Sequence, residues 1–171
     1  MLSRHSSVEP SRLEFKLFRI IDKRLEALGI ELPKLTAPSA NYVPVRFHGG
    51  VVLVSGQVPR LSGSDMYVGK VGKTISREEA YQAARLCAIN MIAQLRVALD
   101  GDLDRVSACL RIRGFVNATE DFTEHPTVID GASDLLVDVF GDAGRHSRTA
   151  LGVGSLPRGF SVEVDGDFAV V

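Results

Sequence analysis

Apolar residues recur at steps of three and four in three stretches of the chain, a spacing that lines up one face of an α-helix. The first holds Leu13, Leu17, Ile20 and Leu25; Ser11 and Glu14 open it as an SxxE capping box and Gly29 stops it, predicting an amphipathic helix over 11–28. In the second, Ser76 and Glu79 repeat the box, and Ala80, Ala84, Cys87, Met91, Leu95 and Ala98 carry the stripe to Asp100 and Gly101. The small residues on that face let such a helix lie close to a sheet. The third runs from Thr127 to Phe140 on Val128, Ala132, Leu135, Leu136 and Val139, and Gly141 closes it.

Elsewhere the period falls to two or the apolar run is short and continuous, as in strands. Val43–Phe47 and Val51–Ser55 flank His48, Gly49 and Gly50, whose glycines suit a tight hairpin turn. Val106 to Arg113 alternate, and Gly114 predicts a bulge before Phe115–Asn117. Arg148–Val153 and Phe160–Val164 read as closing strands around GSLPRG, with Phe168–Val171 extending the last. The stretch ELPKLTAPSANYVP has no period and reads as an extended connector, and the glycine-containing 57–74 stretch reads as a loop with one short strand near Tyr67. The order after the first helix is ββαβαββ: an α+β domain with two long helices packed on one face of a mixed sheet. The division expected is an N-terminal extension over 1–36 and a main domain over 37–171. One sheet face stays uncovered, which predicts an oligomer whose contacts bury small and apolar residues there.

Composition narrows the function. With 171 residues, 45% hydrophobic and 24% charged, the chain suits one globular domain. A formal net charge of −1 offers no excess positive field for a polyanion, so generic nucleic-acid or anionic-membrane binding is disfavoured. Apolar runs such as Val51–Val54 fall far short of the ~18 residues of a membrane span, and MLSRHSSVEP lacks an apolar leader core, so a cytoplasmic protein is expected. Cys87 and Cys109 sit in apolar periodic segments and read as small buried hydrophobes. Neither GxGxxG, P-loop, HExxH, CxxC nor GxSxG occurs, and His5, His48, His125 and His146 share no ligand spacing; no metal or cofactor is expected.

Two charges stand out in the C-terminal block. Arg148 enters a strand of small and apolar residues, and Glu163 lies between Val162 and Val164. Each is open to two readings: a strand residue facing solvent, or a charge kept for a ligand.

The combination of SGQVP at 55–59, the helix EEAYQAARLCAINMIAQL, and an Arg eight residues before LP followed by VEV resembles the Rid family, the reactive intermediate deaminases also called YjgF-like and often labelled endoribonuclease L-PSP. The resemblance covers about 37–171, and is greatest for a branch with an added N-terminal helix. It implies the fold of the trimeric bacterial chorismate mutases and a homotrimer with a small-carboxylate ligand in each cleft between subunits. It implies that Arg148 forks the carboxylate of a 2-imino or 2-enamino acid, that the Ala150 N–H adds a donor, and that Glu163 activates the attacking water. Ser55 and Gly56 would form the cleft wall. Tyr42, in SANYVPV, is the nearest tyrosine to that of the family's GPYSQ segment, where Pro44 stands by count. Asp130, in VID, replaces a family asparagine and would repel an anionic ligand unless neutralised, and Ala150 and Gly152 replace a common Cys and Glu. The expected function is hydrolysis of reactive imines or enamines to 2-oxo acids and ammonia. The alternative is a non-catalytic carboxylate-binding or regulatory trimer. RNA cleavage is disfavoured by net charge and by the lack of aromatics spaced for base stacking, and chorismate mutase chemistry by the single obvious cation.

Overall fold

The computed structural model describes residues 19–35 and 41–171, so the Ser11 capping box and the first part of the predicted helix over 11–28 lie outside the described residues. Helix α1 spans Ile20–Ala27. Its first amides, of Ile20 and Ile21, donate to the Asp104 carboxylate, each at 2.9 Å. A side chain 83 or so positions away thus satisfies donors that a helix start leaves unpaired. Asp22 pairs with Arg96, and Arg24 donates to the Val139 carbonyl at 3.0 Å, so α1 is tied to both long helices.

Those helices are α2, Arg77–Ala98, and α3, His125–Phe140. The capping box at the start of α2 is complete: the Ser76 hydroxyl accepts from the Glu79 amide and the Glu79 carboxylate accepts from the Ser76 amide. Gly141, at φ 64°, ends α3 in a conformation that a side chain would disfavour. Strands β1 (Val45–His48) and β2 (Val51–Gln57) form the predicted hairpin, with Gly49 and Gly50 at φ 54° and 79°. The 57–74 stretch departs from expectation. It holds a small hairpin of β3 (Arg60–Leu61) and β4 (Ser64–Asp65), whereas Tyr67 takes φ 52° and its neighbour Val68 makes only an isolated bridge to Phe160.

Strands β5 (Val106–Asn117), β6 (Ser147–Val153) and β7 (Val162–Val170) complete a five-stranded sheet in the order β1-β2-β7-β5-β6. Among the described strands of this sheet, only β5 and β6 pair in parallel, as their crossover through α3 requires. The two closing strands are therefore not partners: β5 lies between β6 and β7, and β6 is an edge. Gly114 is not a bulge, since its pairing to Val164 and Ala150 is regular; the register breaks lie between Val106 and Ala108 and between Cys109 and Arg111. What Gly114 supplies is clearance, because a Cβ there would stand 2.5 Å from the Ile129 side chain on α3.

One sheet face carries Val52, Val54, Ile112, Val116, Val164 and Phe168 into the core, against the alanines, Cys87, Met91 and Leu95 of α2 and the apolar stripe of α3. Cys87 and Cys109 are buried as expected, and burial pushes Cys109 up to about 12. The opposite face differs from the apolar surface the sequence predicts. Alternation along β7 puts Glu163, Asp165 and Asp167 there, and Arg113 on β5 answers them, donating to Asp165 at 2.5 Å and to both Asp167 oxygens at 3.0 Å. Leu53, Phe115 and Leu151 are interspersed among the charges.

Candidate functional site

Arg148 is the second residue of edge strand β6 and stands opposite Ile112, so its side chain leaves the sheet on the helix-covered side. There it meets α3. Its Nη1 donates to Asp130 Oδ1 at 2.7 Å and to Ser133 Oγ at 3.0 Å, while Nη2 and Nε make no hydrogen bond among the described residues. Behind Ser133 stands His146. Its Nδ1 is 2.6 Å from the Gly144 carbonyl, which only accepts, so Nδ1 carries a proton and Nε2 of the neutral ring accepts from the Ser133 hydroxyl at 3.0 Å. Burial holds His146 below its usual value and the Arg148 charge adds to this, against the opposing Gly144 hydrogen bond. The outcome is a guanidinium anchored through one nitrogen, with two further nitrogens free to fork an anion.

Glu163 is organised differently. Between Val54 and Gln57 the pairing of β2 with β7 gains a residue on β2, so Ser55 and Gly56 form a bulge. The Ser55 hydroxyl is used there, donating to the Val43 carbonyl at 2.8 Å. Gly56 leaves room for the Glu163 carboxyl: a Cβ on Gly56 would sit 2.0 Å from Glu163 Oε1. The Glu163 carboxylate is half-buried with no hydrogen bond or ion pair among the described residues, and burial, then the nearby Asp165 charge, pushes it above the ordinary carboxylate range. A carboxylate poised in this way suits proton transfer. Tyr42 is exposed and lines a cleft with Pro44, Gly56, Gln57, Val58 and Asn90. Asn90 is committed within it, donating to the carbonyls of Val58 and Arg60 at 2.9 and 3.0 Å.

The residues singled out in the sequence thus fall into two groups. Ser55, Gly56 and Glu163 gather at the β2 bulge, and Tyr42 lines the cleft that runs from Gly56 to Asn90 on α2. Asp130, Arg148 and Ala150 gather where β6 meets α3, with Ala150 on the same side of the strand as Arg148. Glu163 pairs with Phe115 and Arg148 with Ile112, neighbours of opposite parity across β5, so within one chain the two charges leave opposite faces of the sheet. Ser133 was not singled out, and His146 was read only as a histidine that shares no ligand spacing with the others. The signal for both was spacing: Ser133 is one helical turn from Asp130, and His146 is two residues before Arg148.

The family model described as "YjgF/chorismate mutase-like, putative endoribonuclease" matches residues 22–160. Protein TCP17 of Trypanosoma cruzi is 44% identical over 142 residues, which is 82% of this chain and 88% of that protein. Among solved structures, Atu1372 of Agrobacterium tumefaciens, a protein of unknown function, superposes with a TM-score of 0.85 at 41% identity, covering 93% of this chain and 98% of that one. A putative endoribonuclease of Shewanella oneidensis does so with a TM-score of 0.85 at 39% identity, covering 88% and 99%.

Proposed function

This chain belongs to the YjgF/chorismate mutase-like family, and from that premise we propose that it is a homotrimer that binds small carboxylates between subunits and hydrolyses reactive 2-imino and 2-enamino acids. The observation that carries the reading is the complementary incompleteness of the two groups. Among the described residues, Arg148 has two unused donors at a sheet edge, and Glu163 is a carboxylate with raised proton affinity and no partner on the other face. Two copies set edge to face would bring one chain's anion grip to the next chain's base.

In such a cleft the fork on Arg148 holds the substrate carboxylate and fixes the position of C2. Glu163 of the neighbouring copy takes a proton from water as the oxygen bonds to C2, and the C=N electron pair moves to nitrogen. Starting from the protonated imine, the same carboxyl then returns its proton to nitrogen and takes the proton of the new hydroxyl as C=O forms and the C–N bond breaks, so that ammonia and a 2-oxo acid leave. An enamine first takes a proton at C3 to become the imine. Because these substrates already react with water, holding one water and one carbon in register is enough for useful acceleration.

The test generates 2-iminopropionate in place from alanine with an amino-acid oxidase and follows its disappearance. Wild type is expected to accelerate it, and Glu163→Gln, which accepts a hydrogen bond but no proton, to lose about 100-fold or more while still binding carboxylates. No acceleration by wild type, with carboxylate binding retained, would replace this reading by the non-catalytic binder.

A further inference from the structure

Asp130 stands beside the atoms that the proposed reading assigns to the ligand. Its Oδ1 accepts from Arg148 Nη1 at 2.7 Å, and its Oδ2 has no hydrogen bond among the described residues. Its side chain is 45% exposed and that of Arg148 25%, so the pair faces outward and is not sealed in the core. Nη1 is saturated by Asp130 and Ser133, which leaves Nη2 and Nε for an incoming carboxylate. Two donors on the cation and one acceptor on its paired anion are therefore open in the same ion pair.

We propose that Asp130 sets the specificity of this site, selecting carboxylates that carry a protonated nitrogen on the adjacent carbon: 2-ammonium and 2-iminium acids over 2-oxo and 2-hydroxy acids. The inference rests on the proposed role of Arg148 and extends it. A carboxylate on Nη2 and Nε lies next to the Asp130 charge, and two anions sharing one guanidinium repel. A cationic nitrogen one bond beyond the ligand's carboxyl carbon removes that repulsion and gives Oδ2 a donor. A carbonyl at the same position would turn an acceptor toward Oδ2 and leave both unsatisfied. Selection of this kind separates substrate from product in the proposed reaction, since the iminium acid carries the cation and the 2-oxo acid does not. It also favours the protonated imine over the neutral enamine. Of the nearby polar groups, Asp134, one turn further on, accepts from the Tyr81 hydroxyl at 2.9 Å through one oxygen, and His146 points at Ser133 and Gly144.

Calorimetry with alanine, lactate and pyruvate tests it on wild type, Asp130→Asn, Asp130→Ala and Arg148→Lys, each checked for fold by circular dichroism. Wild type should bind alanine at least about tenfold more tightly than lactate or pyruvate. Both Asp130 variants should close that gap to within about twofold, by weakening alanine and tightening lactate. If Arg148→Lys weakens all three ligands but the Asp130 variants keep the gap, the specificity role is wrong and the carboxylate grip stands. If Arg148→Lys changes nothing, or wild type binds none of the three, the grip itself is wrong and this inference falls with it.

Discussion

At the scale of single residues, the two charges placed in apolar strands have unequal effects on stability. Glu163 holds its proton more tightly in the folded chain than in the unfolded one, mainly because burial penalises the anion. Folding therefore loses nothing at a pH below the unfolded carboxyl's value and loses stability as the pH rises through the folded value. Glu163→Gln removes that penalty, so its melting temperature at pH 7 should exceed wild type by about 2 °C, and the difference should vanish below about pH 4. Thermal denaturation at pH 3.5 and pH 7 checks this; equal differences at both would show that the gain is unrelated to ionisation. Both Arg148 and Glu163 were legible because a charge interrupting an apolar strand is rare enough to notice. Their partners were less so. Asp130 was expected to repel a ligand unless neutralised, and the structure supplies the neutralising group as Arg148, through a contact between α3 and β6 that no local spacing encodes. Lys70 passed unnoticed altogether in a loop, yet its ammonium donates to Asn117 Oδ1, the Ala118 carbonyl and the Gly154 carbonyl at 2.9 to 3.1 Å and ties the ends of β5 and β6 to that loop.

At the scale of elements, periodicity was a good guide wherever one face is buried and a poor one where the backbone partners itself. Helix α2 begins at its capping box because Ser76 and Glu79 satisfy its first amides locally, a device written in four consecutive residues. The placement of β6 at the edge depends on β7 choosing β2 and β5 as neighbours, a non-local choice. Glycine was the residue most easily misread, because conformational freedom and clearance look alike in sequence. Gly131 is a clearance glycine: a Cβ would stand 2.1 Å from the Tyr81 carbonyl oxygen, so α3 and α2 touch through backbone. Alanine there gains about 1 kcal/mol of helix propensity, but overpacking against a carbonyl that cannot swing away costs more. Gly131→Ala should therefore lower stability by about 2 kcal/mol in urea denaturation, whereas Gly154→Ala, with open space around it and an ordinary φ, should change it by less than about 0.5 kcal/mol. A neutral Gly131→Ala would mean that the two helices can part without cost.

At the scale of the whole molecule, the sheet has helices on one face and a half-charged surface on the other. That surface largely neutralises itself, since Arg113 forks Asp167 and also reaches Asp165. A face of this kind can lie against another copy without leaving those charges unpaired, and it still offers Leu53, Phe115 and Leu151 for burial. The opposite directions of Arg148 and Glu163 then decide between one-chain and two-chain sites in a single measurement. Arg148→Lys and Glu163→Gln are each expected to be inactive alone. In randomly co-assembled trimers of the two variants, about three-quarters are mixed, and each mixed trimer has about one cleft in three that receives the intact arginine from one copy and the intact glutamate from the other. Co-expression should thus restore about a quarter of wild-type activity, and mixing the purified variants without subunit exchange should restore none. No recovery on co-expression, with mixed trimers verified by mass, would place both groups in a cleft of one chain, which their positions on opposite faces of β5 and its neighbours oppose.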